Sequence, residues 1–379
     1  MLIYLTYAEP PSGVFSSQVA DVIRYVNRKE QAGIRLLAFI SLHDFRSNRT
    51  RIKKESPDAI VLPMLPKATY WKFNSLALCL LCLFLRPKAI LARNVIAANM
   101  ALKARKFKLV KKVCFDGRGA IAAEWSEYDV KVVDSWKKAI GDLESRAVME
   151  SDFRIAVTEK LVDYWHERYG YSSGQHVVIP CTLNSNFVPR IPRDEEKAAA
   201  RKSLNLDAGD TVLAYAGSTA GWQSFSTLHR YLEPFLKNDQ RHKIIFLSKK
   251  EENIEKLSRE FPGQILQQWV NHADVPGVLS ACDMGILLRE DSITNRVASP
   301  TKFAEYLSAG LPVIISEKIG DYSDFVRKND CGLIANGSEL PSITGTDEAV
   351  RARMIGLVNA NFTKEAQAGH YRELLSNLQ

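Results

Sequence analysis

The sequence lacks most of what would mark a secreted, membrane-spanning or nucleic-acid-binding chain. Its first residues, MLIYLTYAEPPSG, begin directly as a strand, with no basic region and no small-residue cleavage site, so a cytoplasmic location is expected. Six cysteines (Cys79, Cys82, Cys114, Cys181, Cys282, Cys331) are scattered through apolar contexts, as reduced, buried thiols would be. Cys79 and Cys82 form a CxxC inside an apolar run with no second pair, which reads as core packing. The apolar run Leu76 to Leu85 (LALCLLCLFL), even extended to Phe73, falls short of the ~20 residues of a bilayer span. It reads as a buried helix, with an interfacial helix as the alternative. No zinc-finger spacing, RNA-binding aromatic signature or helix-turn-helix pattern is present, so no nucleic-acid partner is expected. Nor is there a DxD-like acidic pair suited to Mg²⁺ or a histidine cluster suited to zinc, and neither metal nor cofactor is expected.

With 379 residues the chain is too long for one ordinary core and implies two domains. Its 46% hydrophobic and 25% charged residues exclude a disordered chain. The net charge of +8 is unevenly spread: residues 1–190 hold 29 basic and 18 acidic residues, whereas 191–379 hold 22 and 25. A basic first half suits anionic lipid headgroups or a phosphate-bearing substrate.

The first half alternates short apolar strands with helical or loop segments. Strands are expected at Leu2–Thr6, Arg35–Ile40, Ala59–Leu62, Ala89–Ala92, Lys112–Phe115, Phe153–Val157 and Val177–Pro180, with helices at about Ser16–Lys29, Val132–Met149 and Leu161–Tyr169. Such alternation specifies a doubly wound, mostly parallel α/β sheet, whose ligands bind beyond the carboxyl ends of its strands. Gly13 lies in the loop after the first strand. Arg93 and Asn94 follow another, and Asp116, Gly117, Arg118 and Gly119 a third. Asp116 has two readings, a general base or ligand for acceptor hydroxyls, or a turn residue capping nearby amides. Asn184–Glu196, polar and with two prolines, reads as an interdomain linker.

The second half restarts the pattern. Thr211–Ala216 runs into the small-residue loop Gly217 to Gly221, which includes Ser218, and Lys243–Leu247 ends at Ser248, Lys249 and Lys250. A further strand lies around Ile265 and Leu266, a helix around Val275–Ala281, and Met284–Leu288 leads into Arg289. From there REDSITNRVASPTKFAEYLSAGLPVIIS gives a loop, a helix with Ser299 as N-cap and Pro300 in its first turn, and a strand at Leu311–Ile315, with Gly310 and Pro312 closing the helix. The free amides, the helix dipole and Lys302 make a receptor for a diphosphate. Glu305, three residues on and on the same face, can accept hydrogen bonds from sugar hydroxyls. The plainer reading is a well-capped helix with a surface Lys–Glu pair.

In their order along the chain, the Gly13 loop, SDFRIAVTEKLVDYW from Ser151, VVIPCTLNSNFVP from Val177, VLAYAGS from Val212 and SPTKFAEYLSAGLPVIIS from Ser299 resemble the retaining GT-B glycosyltransferases of the family-four (group 1) type. The resemblance covers nearly the whole chain and implies two Rossmann-like doubly wound domains facing each other across a cleft. The acceptor-binding domain would be 1–185, joined by a C-terminal helix, 362–379, that crosses back to it; the donor-binding domain would be 186–361. The implied activity is metal-independent transfer of a sugar from a nucleotide diphosphate sugar, with retention, to a glycan or lipid-linked acceptor in bacterial surface polysaccharide synthesis. Ser299, Pro300, Thr301 and Lys302 would hold the diphosphate and Glu305 the ribose. Gly13, Gly217, Ser218, Lys249, Arg289 and Asn295 would complete the donor site, and Arg93, Asn94, Asp116 and Arg118 the acceptor side. Asp116, Lys302 and Arg289 would carry the chemistry. Val297 stands where the family has the first glutamate of a pair, and Arg289, Arg296, Lys249 and Lys250, Arg289 first, are the available substitutes for basic residues that the family has after the glycine loop. Contact with an anionic membrane at its cytoplasmic face is also expected. The alternatives are a nucleotide-sugar epimerase on the same architecture and a non-catalytic nucleotide-sugar-binding protein.

Overall fold

In a computed structural model the chain forms two parallel sheets, and residues 1–128, 134–218, 221–337, 340, 343 and 346–379 are described. The first sheet has seven strands: β1 (Leu2–Tyr7), β2 (Ile34–Ile40), β3 (Ile60–Pro63), β4 (Ala89–Arg93), β5 (Lys112–Asp116), β6 (Phe153–Ala156) and β7 (His176–Val178), in the order β3-β2-β1-β4-β5-β6-β7. The second has six: β8 (Thr211–Ala216), β9 (His242–Leu247), β10 (Ile265–Gln267), β11 (Met284–Leu287), β12 (Val313–Ser316) and β13 (Gly332–Ala335), in the order β10-β9-β8-β11-β12-β13. Parallel strands covered by helices on both faces need apolar side chains on both sides, which is why β1, β4, β11 and β12 are buried throughout. Each strand order reverses once, between β1 and β4 in the first sheet and between β8 and β11 in the second. At such a reversal the loops diverge and leave a crevice for ligand.

The chain divides into two compact units. One comprises Met1–Asn184, Val297–Ser299 and Lys364–Gln379; the other comprises Ser185–Arg296 and Pro300–Thr363. Val297–Ser299, read from the sequence as part of the second half, thus packs with the first. Val297 is buried in that unit's core, and its carbonyl accepts the Thr158 hydroxyl at 2.9 Å. An apolar side chain at this position fills core, where an unpaired carboxylate would be costly.

Several boundaries differ from the sequence reading. The first helical stretch begins at Gly13, with Ser12 accepting the Phe15 N–H, and runs through a π-helical turn into Asp21–Glu30. The helix expected from Val132 runs over Asp134–Glu150, Val132 lying outside the described residues. The expected linker ends in the Asp194–Ser203 helix. There Arg201, buried, donates to the carbonyls of Ala281 and Asp210 and to Asp283 at 3.0 Å, which ties the helix to the second sheet. The Trp71–Leu85 helix buries only one face. With the turn before it, Ala68–Leu85 is long and apolar enough to cross a membrane by length and composition, a third of it being buried in the fold. Its inner face packs on the first sheet's core, so the expectation of a buried helix holds for that face only.

The Ala368–Leu378 helix packs on the first sheet through Tyr371, Leu374, Leu375 and Leu378. Ahead of it Lys364, 1% exposed, donates to the Asp21 carboxylate at 2.6 Å and the Leu183 carbonyl at 2.8 Å. Burial lowers the Lys364 pKa, and Asp21 opposes that shift. Removing one member of such a pair strands the other charge in the core. Lys364→Met is therefore expected to cost about 3–5 kcal/mol in urea unfolding, with part regained on adding Asp21→Asn. A loss below about 1 kcal/mol would place the pair among weak surface contacts.

Candidate functional site

The second unit gathers its predicted residues at the carboxyl edge of one sheet. β8 leads into Gly217 and Ser218, and the Ser218 carbonyl accepts the Tyr215 hydroxyl at 2.8 Å; Thr219 and Ala220 of this loop lie outside the described residues. Arg289 follows β11 on the other side of the strand reversal. Its backbone N–H donates to the Ser316 hydroxyl at 2.8 Å, and Nη1 lies 3.4 Å from the buried Asn295 amide oxygen, whose Nδ2 reaches the Glu290 carbonyl at 3.1 Å. Arg289 is thus held as an oriented cation, 8% exposed, at the strand end. Lys249, after β9, is exposed, with its ammonium 5.3 Å from the Trp269 ring centroid. Arg296 is exposed and pairs with Asp291 at 2.5 Å.

The helix spans Thr301–Ser308, and Gly310, at φ 74°, ends it where a Cβ would press on Arg351. Its N-cap is Pro300, not Ser299, and no side chain caps it. Ser299 turns away because its hydroxyl accepts the Cys181 N–H at 2.9 Å in the first unit. The first-turn amides of the helix therefore lack a capping side chain of their own, a feature that suits an anion. The helix is fixed against β11 by Tyr306. Its ring occupies the space a side chain on Gly285 would need, a Cβ there falling 2.3 Å from the ring. The Tyr306 hydroxyl accepts the Ala216 N–H at 2.8 Å, which links the helix to β8 as well.

Glu305, 8% exposed, takes Lys302 Nζ on one oxygen at 2.7 Å and faces His272 Nε2 at 3.7 Å with the other. Burial alone would raise its pKa, but Lys302 and His272 together hold it below the usual glutamate value. His272, after β10, packs its ring 4.7 Å from that of Phe187. It was absent from the sequence-based set because it reaches Glu305 from a separate segment and carries no motif.

The first unit treats its predicted residues differently. Asp116, expected as a base, is fully buried at the end of β5. It pairs with Arg118 Nε at 2.7 Å, lies 3.8 Å from Arg93 Nη1, and accepts the Tyr4 hydroxyl. Burial and the neighbouring Asp116 charge raise the Tyr4 pKa, so the phenol stays a donor. With its oxygens enclosed by these partners, Asp116 has no face open to an acceptor; it is an anchor for Arg93 and Arg118. Asn94 caps the Val95–Lys106 helix, accepting the Ile96 and Ala97 N–H groups at 3.0 Å each. The carboxylate of this cluster that keeps an exposed part is Glu9, 24% exposed, which accepts from Arg93 at 2.8 Å and Asn94 at 3.1 Å. Gly13 stands exposed after β1. Among the described residues no cluster of His, Cys, Asp or Glu suited to a metal ion occurs.

The fold has solved counterparts. A glycosyltransferase from Rickettsia africae superposes with a TM-score of 0.71 at 14% identity, over 100% of this chain and 98% of that one. Anabaena HepE, solved in complex with UDP and glucose, gives 0.71 at 12% identity, over 99% of both chains. A putative UDP-N-acetylglucosamine 2-epimerase from Listeria monocytogenes gives 0.53 at 9% identity, over 100% of this chain and 89% of that one. No protein-family model matches the chain, and no curated protein is similar to it in sequence.

The depressed Glu305 pKa is linked to stability. A carboxylate whose folded pKa lies below its unfolded value, normally ~4.3, contributes stability above that value and loses it as pH falls through the folded pKa. Glu305→Gln should therefore melt below the wild type near neutrality, with the gap closing under acid conditions; a constant gap from pH 7 to pH 3 would show that Glu305 is not held ionised. By fold the chain is a GT-B protein, with two Rossmann-like, doubly wound α/β sheets and a C-terminal helix that returns to the first.

Proposed function

We propose that the protein is a metal-independent, retaining glycosyltransferase of the family-four type, moving a hexosyl group from a nucleoside diphosphate sugar to a glycan or lipid-linked acceptor in surface polysaccharide synthesis. The observation that carries this reading is the Thr301–Ser308 helix. It has no side-chain cap, bears Lys302 in its first turn, and is pinned beside the strand reversal where Arg289 follows β11. The GT-B fold supports it, and so does the UDP and glucose bound by Anabaena HepE.

In this reading the helix amides, Lys302 and Arg289 receive the diphosphate, and Glu305 receives the ribose hydroxyls. Gly217, Ser218, Asn295 and Lys249 border the same donor. The bond from the anomeric carbon to the phosphate oxygen breaks, and its electron pair leaves with the diphosphate. Fixed cations and amides aimed at that oxygen stabilise the developing charge, each by about 2.7–4 kcal/mol on the scale of oxyanion donors. The acceptor oxygen bonds to the anomeric carbon, which carries oxocarbenium-like charge. With Asp116 enclosed, the acceptor proton passes to the departing phosphate oxygen. Glu9 and the cations around it border the acceptor side, and the basic first half suits a lipid diphosphate-linked acceptor at the cytoplasmic face of a membrane.

A second reading, an epimerase, draws on His272 beside Glu305 and on the likeness to the Listeria protein. Incubation with a panel of nucleotide sugars, followed by chromatography, separates the two. Nucleoside diphosphate released with acceptor glycosylation supports transfer, an epimerised nucleotide sugar supports the second reading, and binding without either product contradicts both. Lys302→Ala is expected to weaken nucleoside diphosphate binding by about 1.5–3 kcal/mol, roughly 10- to 150-fold, in calorimetry. Unchanged affinity would remove Lys302 from the donor site.

A further inference from the structure

Residues 59–115 contain eleven lysines and arginines and no aspartate or glutamate, and the rest of residues 1–190 is balanced. The entire basic excess of the first half therefore falls in one segment, and at its middle lies the Trp71–Leu85 helix. One face of that helix, with Trp71, Leu78, Cys79 and Cys82, is built into the core. The opposite face carries Phe73 (57% exposed), Leu76 (49%), Leu80 (58%), Leu83 (52%) and Phe84 (83%). Steps of three, four, three and one residues align these side chains in a single stripe. The only polar residues between Phe73 and Leu85, Asn74 and Ser75, are both buried, so no polar side chain interrupts the exposed stripe. A contiguous apolar surface of this kind marks a contact site rather than a solvated helix face.

Cations stand at both ends of the stripe. At the start, Lys72 is exposed and its carbonyl accepts Lys103 Nζ at 3.3 Å. At the finish, Arg86 and Lys88 are exposed, and the Lys88 carbonyl accepts the N–H of Lys111, itself exposed, at 3.2 Å. We infer that this face docks on an anionic bilayer surface. The five apolar side chains enter the boundary between headgroups and acyl chains, while the flanking lysines and arginines meet headgroup phosphates. Charge complementarity selects this occupant: a second copy would bring like-charged rims together, and the acid-free segment has no carboxylate to answer them. Spanning is excluded because the inner face is committed to the sheet core and the loops at either end are part of the domain.

The test is co-sedimentation with vesicles of phosphatidylcholine alone and of equal parts phosphatidylcholine and phosphatidylglycerol, in parallel with sedimentation velocity of the free protein. No donor or acceptor is present, so the result is independent of the glycosyltransferase reading. Wild type should bind the anionic vesicles and leave the neutral ones. Leu80→Ser with Phe84→Ser, both at exposed positions, should abolish binding with the melting temperature retained. Arg86→Glu with Lys88→Glu should weaken binding by more than about fivefold per residue, since each position loses one attraction and gains a repulsion. Equal binding to both vesicles, binding unchanged in either variant, or a dimer that Leu80→Ser with Phe84→Ser dissociates in the absence of vesicle binding would each overturn the inference.

Discussion

Tyr306 packed over Gly285 is the contact on which the candidate site depends. It lets a helix lie directly across a central strand, and the hydroxyl ties that helix to the neighbouring strand through the Ala216 N–H. Any side chain at residue 285 would displace the ring and, with it, the helix that carries Lys302 and Glu305. The first-turn amides and the Lys302 charge are thus fixed relative to the end of β11, where the backbone N–H of Arg289 is held by Ser316. Fixed dipoles and charges of this sort need no reorganisation when an anion arrives.

Buried charge organises both units, and in each it does so by pairing. Arg201 with Asp283 ties a helix to the second sheet, Lys364 with Asp21 brings the C-terminal segment onto the first unit, and Asp116 gathers Arg93, Arg118 and Tyr4. Such pairs contribute little over a well-packed apolar substitute, but breaking one of them is costly. They fix which segments meet. The same distinction separates Asp116 from Glu305: Asp116 is enclosed by its partners, whereas Glu305 lies beside a helix end that has no side-chain cap.

Strands were the most legible feature of the sequence, because parallel strands covered on both faces are short apolar runs bounded by polar loops. Twelve of the thirteen follow the runs to within about two residues at either end. β13, reading GLIA, escaped because three of its four residues are only half-buried. Phe45–Glu55 leaves no periodic stripe, since Ile52 is its one buried residue. Lys302 and Glu305 were legible because three-residue spacing on a helix brings them together by itself. His272, Glu9 and Tyr4 were not, because each meets its neighbour across the fold, and a linear pattern records no such meeting. Val297 shows the converse: a residue placed by motif comparison at a ligand position is held by the first unit's core.

Hydrogen exchange read by mass spectrometry over residues 299–306, with and without a nucleoside diphosphate and in the presence of EDTA, tests the central claim most directly. If the Thr301–Ser308 helix receives the diphosphate, the first-turn amides slow when nucleotide binds, and chelating metal leaves that protection intact. Nucleotide binding that slows exchange elsewhere while leaving these amides unchanged would contradict the assignment.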